Sequence, residues 1–507
     1  MINKNTMNLT SQFFKKSSLS PLDLVKIGII IFVSIHLLGS FVPFYNGADS
    51  LVYGISSIGL AEGSWGFTNE LLLESGSWDF VPNQWVKTIY NTAIPIGGFG
   101  IYGLAAISYL VGGLYGLFYL VPIFTIILLI ITERVATKLF GNFVGLFTLV
   151  LLSTDATVFN IGRSLLSNNI FAVFFILGVF FLIKFLQESK YRSILLSSAF
   201  FATCTLFRLT GLIFFPIEIF SVVGYLAIQK IRQNKRDQID KNGTLVTNLV
   251  FSNLTSKNLI KISAFLLIPW IIFFSFYFIY NDYFFGDPFT SYVEVMPSPT
   301  ISDYKKDSIT SFLIVDSDRF EWIKYYSVAL IPDTSKSYIG NNFSVDVNDP
   351  HANWLSIFSF IILASALSIS LFNRNNRISV IVILLFVASL PLFFSSTYLH
   401  SASYQELLPS PGLADRYMIP ILPLFFMISG FIAERIWKLN IDRTISNKSK
   451  RVFKILKIIF LIILIIFFVA SFLNSPSAQK TISNNFIFQN PQDNYLRLSK
   501  YFLCLLF

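Results

Sequence analysis

L-V-K-I-G-I-I-I-F-V-S-I-H-L-L-G-S-F-V-P-F-Y-N-G-A-D-S-L-V-Y-G-I-S-S-I-G-L-A-E-G occupies residues 24–63. Its first half, residues 24–44, is an apolar run as long as a bilayer's hydrocarbon core requires, and Pro43 helps to end the helix it predicts. Its second half places Asp49 where that helix would meet water, with Tyr53 one helical turn on and Ala61-Glu62-Gly63 as a turn. An acid at that depth keeps its charge and can face a chemical site, whereas at mid-bilayer it would cost several kcal/mol. Asp49 is therefore the first candidate for a reacting carboxylate. His36, inside the first span, reads as a neutral packing or hydrogen-bonding residue.

Composition sets the class for the rest of the chain. Of 507 residues, 54% are hydrophobic and 13% charged, which excludes an ordinary soluble globule and predicts an all-α polytopic membrane protein. Cys204 and Cys504 lie in or beside apolar runs far apart, so no disulfide or metal framework is readable. The net charge of +10 points to membrane orientation and not to nucleic acid, because of where the basic residues fall.

Further spans are expected at 114–132, 141–159, 168–187, 193–209, 211–228, 260–280, 354–372, 377–395, 417–437 and 454–473, about 11 in all. Residues 94–113 are apolar too, but Pro95 and six glycines weaken their helix, so they are expected as a re-entrant or interfacial piece packed against protein. With this scheme 26 of the 38 Lys and Arg fall on the inner side, which places the protein in the cell membrane with a cytoplasmic amino terminus and an external carboxyl terminus. The domain plan is a cytoplasmic lead at 1–23, a transmembrane catalytic region at 24–437, a last cytoplasmic loop and helix at 438–473, and a short external tail at 474–507 that reads as stopping early. The first external loop, 45–93, carries five acids and three tryptophans and is expected to be amphipathic and partly helical. The second, 281–353, has eleven acids against five Lys/Arg and suits a lid over an outer cavity. The cytoplasmic loop, 229–259, opens with Lys230, Arg232, Lys235 and Arg236, a pattern that anchors to anionic head groups.

This topology brings charges from distant parts of the chain to one membrane face: Asp49, Glu62, Asp155, Arg163, Arg208, and Asp415-Arg416-Tyr417. Arginines clamp phosphate bidentately and a carboxylate activates a hydroxyl, so such a cavity suits a phosphate-bearing lipid. The plainer alternative is that Arg163 and Arg208 reach to the interface and Asp415 pairs with Arg416.

Several of these stretches resemble the GT-C superfamily of polytopic glycosyltransferases, which includes the protein O-mannosyltransferases and the aminoarabinose lipid A transferases. They are A-D-S-L-V-Y-G-I-S-S-I-G-L-A-E-G, G-R-S-L-L-S-N-N-I-F-A-V-F-F, F-R-L-T-G-L-I-F-F-P, F-G-D-P-F and D-R-Y-M-I-P-I-L-P-L, and they extend over residues 24–437. The resemblance implies an inverting transfer of a sugar from a polyprenyl-phosphate donor, in contact with membrane lipid, to an acceptor protein or glycolipid at the outer face. Asp49 matches the family's first-loop acid, a general base or a partner of a divalent metal near the sugar phosphate. Arg416, beside Tyr417, matches the residue that holds the lipid phosphate, with Arg163 and His400 as further contacts. Where many members carry a second acid this chain has Ser167-Asn168; Glu62, Asp155 and Glu406 are the alternatives for it.

Two other classes fit in part. A lipid-linked-sugar flippase or other transporter would show pseudo-symmetric halves and ionisable residues near mid-membrane, and neither is legible. An O-antigen-type ligase or polymerase would place its large loop between late spans, whereas here the larger one is mid-chain.

Overall fold

The computed structural model describes residues 20–39, 48–64, 85–90, 93–95, 98–240, 256–289, 350–372, 376–396 and 418–438. Five helices among these are long and apolar enough to cross a membrane, and five shorter apolar helices accompany them. Large apolar side chains such as Phe220, Ile260, Ile272 and Ile279 stand exposed along them, the outward face of a membrane-integral helical protein.

Helix α1 (Pro21–Gly39) leads into α2 (Ala48–Ala61). Helix α2 ends in a Schellman motif: Ser64 N–H donates to the Gly59 carbonyl, Gly63 N–H donates to that of Leu60, and Gly63 takes φ 88°. Strands β1 (Trp85–Lys87) and β2 (Ala93–Pro95) pair antiparallel, with Val86 opposite Ile94. The composition-based expectation of helix alone missed this small sheet.

Helix α3 (Phe99–Phe140) is two arms, because Gly113 breaks it at φ 59°, ψ −146°. Residues 108 and 116 of a straight helix would lie about 12 Å apart, yet Ser108 Oγ donates to the Gly116 carbonyl at 2.8 Å. The arms therefore fold towards one another, and a Cβ on Gly116 would stand 2.0 Å from the Ser108 carbonyl oxygen. Ile101, Tyr102 and Ala105 of the first arm are fully buried, while Ile107, Leu110 and Val111 near the turn are exposed. The second arm holds the span expected at 114–132 and extends it to Phe140.

Helices α4 (Asn142–Thr154), α5 (Ala156–Gly162), α6 (Asn168–Glu188) and α7 (Tyr191–Phe207) follow, then a 3-10 turn (Leu209–Ile213), α8 (Phe214–Asp240) and α9 (Ser256–Phe285). Helices α10 (Pro350–Phe372), α11 (Arg377–Ser396) and α12 (Leu422–Lys438) complete the described bundle. Helix α8 continues as far as Asp240, so the basic stretch that the sequence suggested as loop from 229 is helical at its start. The single span expected at 141–159 is split between α4 and α5 by Asp155. The last expected span, 454–473, lies outside the described residues.

Lipid gives helices little hydrophobic reason to associate, so close packing must hold them together. Among the described residues, phenylalanine rings supply much of it. Phe175 stacks on Phe214 at 4.6 Å and Phe201 on Phe386 at 5.3 Å, joining α6, α7, α8 and α11 through fully buried rings.

Candidate functional site

The chain from Asp155 to Asn169 departs from the regular bundle. Helix α4 has 13 residues and rises only about 20 Å, short of a hydrocarbon core of about 30 Å. Asp155 then takes an extended conformation, and its Oδ1 accepts the Val158 N–H at 2.9 Å, capping α5. After seven residues α5 ends, and an irregular turn from Arg163 to Ser167 leads into α6. Every residue from Ile161 to Ile170 is buried. Irregular backbone at membrane depth survives only inside protein or along a cavity, and discontinuous helices are where membrane proteins commonly build their sites.

Side chains hold this segment in place. Asn169 Nδ2 donates to Thr125 Oγ1 at 2.7 Å and to the Val158 carbonyl at 3.1 Å, which ties α6 to α3 and α5. Thr125 in turn donates to the Val121 carbonyl at 2.8 Å. The Arg163 side chain, 3% exposed, has its guanidinium carbon 5.1 Å from the Phe159 ring centre. The His36 ring stacks on the same Phe159 at 4.4 Å with an interplanar angle of 13°. A buried cation, an aromatic platform and an imidazole thus meet where α1, α5 and the head of α6 converge.

The structure unites some of the residues singled out from sequence and separates others. Asp155 caps α5 and Arg163 follows its far end, two turns away on one short element. Asp49 lies in the first turn of α2, whose Tyr53 packs edge-on against Tyr102 of α3 at 5.3 Å. Glu62 stands exposed on the turn that ends α2. His400, Glu406, Arg416 and Tyr417 lie outside the described residues. Among the described residues, no three His, Cys, Asp or Glu gather as metal ligands.

Two buried charge sites went unread in the sequence. Glu218, in the middle of the apolar stretch Leu209–Ile228, is fully buried. Ser198 Oγ donates to its Oε1 at 2.9 Å and Trp270 Nε1 to its Oε2 at 3.1 Å. Lys26 and Glu133 pair at 2.6 Å, each 6% exposed at the side chain, and Lys26 also donates to Thr137 Oγ1 at 3.0 Å. The expectation that no ionisable residue lies near mid-membrane is corrected by Glu218, in the middle of an apolar stretch of spanning length. A hydropathy reading tolerates one charge in an apolar run, and the partners lie on other helices.

No family model matches the chain, and no curated protein is similar to it. Among solved structures it is similar to ArnT from Cupriavidus metallidurans in the apo state, at TM-score 0.44 and 11% identity over 82% of this chain and 60% of that one. It is similar also to the same protein bound to undecaprenyl phosphate, at TM-score 0.45 and 12% identity over 81% of this chain and 60% of that one. The chain thus spans about 60% of the length of that protein.

Proposed function

We propose that this chain is an integral-membrane glycosyltransferase that moves one sugar from a polyprenyl-phosphate donor to a hydroxyl of an acceptor protein or glycolipid at the outer membrane face. The observation that carries this reading is Arg163, a buried guanidinium held on Phe159 where the α5–α6 segment breaks. It supports an anionic head group brought to membrane depth, which is what a lipid phosphate is. The order of the GT-C-like motifs along the chain supports the same reading.

In this mechanism Asp49 takes the proton of the acceptor hydroxyl as its oxygen attacks the anomeric carbon. The bond from that carbon to the phosphate oxygen breaks, the configuration inverts, and the lipid monophosphate leaves with the electron pair. Arg163 and Arg416, with Tyr417 and His400 alongside, offset the charge that grows on the phosphate. The leaving group is already a stable anion, so one carboxylate suffices and Glu62, Asp155 and Glu406 need not act as acids.

The test is transfer of radiolabelled sugar from a panel of polyprenyl-phosphate sugars, in membranes containing this chain, its Asp49→Asn variant or its Arg416→Ala variant. Transfer by the unmodified chain alone is the expected result. Transfer by Asp49→Asn at the unmodified rate would remove Asp49 from the mechanism, and absence of transfer from every donor with folded protein present would remove the enzyme reading.

Transport of a lipid-linked sugar is the second reading, and Glu218 favours it as an ionisable group buried within a span. Against it, both carboxylate oxygens already accept hydrogen bonds from neighbouring helices. Movement of lipid-linked sugar across liposomes by the purified protein, with no product formed, would put this reading first.

A further inference from the structure

We infer that His36 is a positioning residue for Arg163, acting through the Phe159 ring. This rests on the proposed reading of Arg163 as the cation that faces the lipid phosphate.

Three observations carry the inference. First, Phe159 has two partners of different kinds: the His36 ring lies nearly parallel to it at 4.4 Å, and the Arg163 guanidinium carbon stands 5.1 Å from its centre. A guanidinium over a ring is held by the ring's quadrupole, so where the ring lies decides where the cation stands. Second, Phe159 sits on α5, a helix of seven residues between two breaks, which cannot orient a side chain by its own rigidity. The ring needs an outside support, and the stacked imidazole of α1 supplies one.

Third, α1 is itself fixed. Lys26, Val33, His36 and Leu37 form its buried face, the spacing of one helical stripe. Lys26 at one end of that stripe is bound to Glu133 and Thr137 of α3. His36 stands ten residues further along, about 15 Å. The ion pair sets the rotation of α1 about its axis, and that rotation aims His36 at Phe159. An exposed or freely turning histidine could not do this; one 6% exposed on a pinned helix can.

The experiment measures binding of radiolabelled polyprenyl phosphate to purified protein in detergent micelles, with thermal unfolding of each variant as the check on folding. Arg163→Ala is expected to weaken binding at least tenfold. His36→Ala is expected to weaken it about tenfold, the scale of a desolvated cation–ring contact. His36→Phe keeps a flat ring on Phe159 and is expected to bind within about threefold of the unmodified chain. The discriminating variant is His36→Ala combined with Arg163→Ala, expected to bind no more weakly than Arg163→Ala alone, because a residue that acts through the arginine has nothing left to act on.

Additive losses in the double variant, or unchanged binding in His36→Ala, would overturn the inference while leaving Arg163 in the site. Binding by His36→Phe as weak as by His36→Ala would overturn it too, since a polar nitrogen and not the stack would then be at work. Equal binding by Arg163→Ala and the unmodified chain would instead overturn the reading of Arg163 itself.

Discussion

Two of the buried charge clusters among the described residues stand in contrast. Near the start of α1, Lys26 meets Glu133 on the second arm of α3, where both helices are unbroken, with Thr137 donating to Glu133 Oε1 at 2.7 Å and Arg134 3.6 Å from Oε2. At the other end of the buried stripe of α1, His36 meets Phe159 of α5, the short helix that Asp155 caps and Arg163 follows, where helices stop and restart. The first arrangement pairs opposite charges on regular backbone and leaves little for a ligand to do. The second sets buried charges on interrupted backbone, the kind of segment in which membrane proteins commonly build their sites. The lesson is that burial alone does not mark function; backbone continuity separates a pin from a site. On this division the Lys26 pair and Glu218 are expected to govern stability, and Arg163 the proposed transfer.

Lys26→Met tests the first half most severely. Leaving Glu133 buried without its ammonium partner is expected to cost about 3–5 kcal/mol of stability, read as thermal unfolding in detergent. Adding Glu133→Leu should restore most of that loss, and transfer per folded molecule should stay near the unmodified value. A pair that proved essential for transfer after this rescue would break the division.

Glu218→Ala comes next. It removes a fully buried side chain and leaves Ser198 and Trp270 as donors without an acceptor, at an expected cost of about 2–4 kcal/mol in the same unfolding assay. Sugar transfer by the folded fraction is expected to persist, and its complete loss would move Glu218 into the working machinery.

Arg163→Ala is expected to reduce transfer about a hundredfold, on the scale of a charge-assisted contact to the departing phosphate, with a small change in unfolding temperature. A large loss of stability with normal transfer would place Arg163 among the pins. Asp155→Asn should have the smallest effect, within about threefold in transfer and a few tenths of a kcal/mol in stability, because asparagine caps a helix as well as aspartate does. A loss of about a hundredfold would instead make Asp155 the missing second acid.

Much of the helical plan was legible. The five described helices long enough to cross a membrane fall on runs expected as spans, whereas 141–159 is split and residues 94–113, expected as a weakly helical re-entrant or interfacial piece, are helical from Phe99 up to the break at Gly113. The break at Asp155 was harder to read, since Thr154-Asp155-Ala156 lies inside an otherwise continuous apolar run. An aspartate inside an apolar run is a cap signal only once it is known that the helix before it ends. Of the site, Arg163 was legible as a charge at the edge of a span, whereas His36 read as a packing residue and its platform Phe159 was not singled out.

The sequence by itself determined that the chain must live in a membrane, because hydrophobic runs this long have no other stable environment, and that its polar residues near the spans are few enough to count. Which of those residues pair was decided only by tertiary structure. Lys26 finds Glu133, Glu218 finds Trp270 and His36 finds Phe159 on helices far away in sequence. Local pattern reports the cost of burying each group, while the partner that offsets this cost is chosen by how the helices pack.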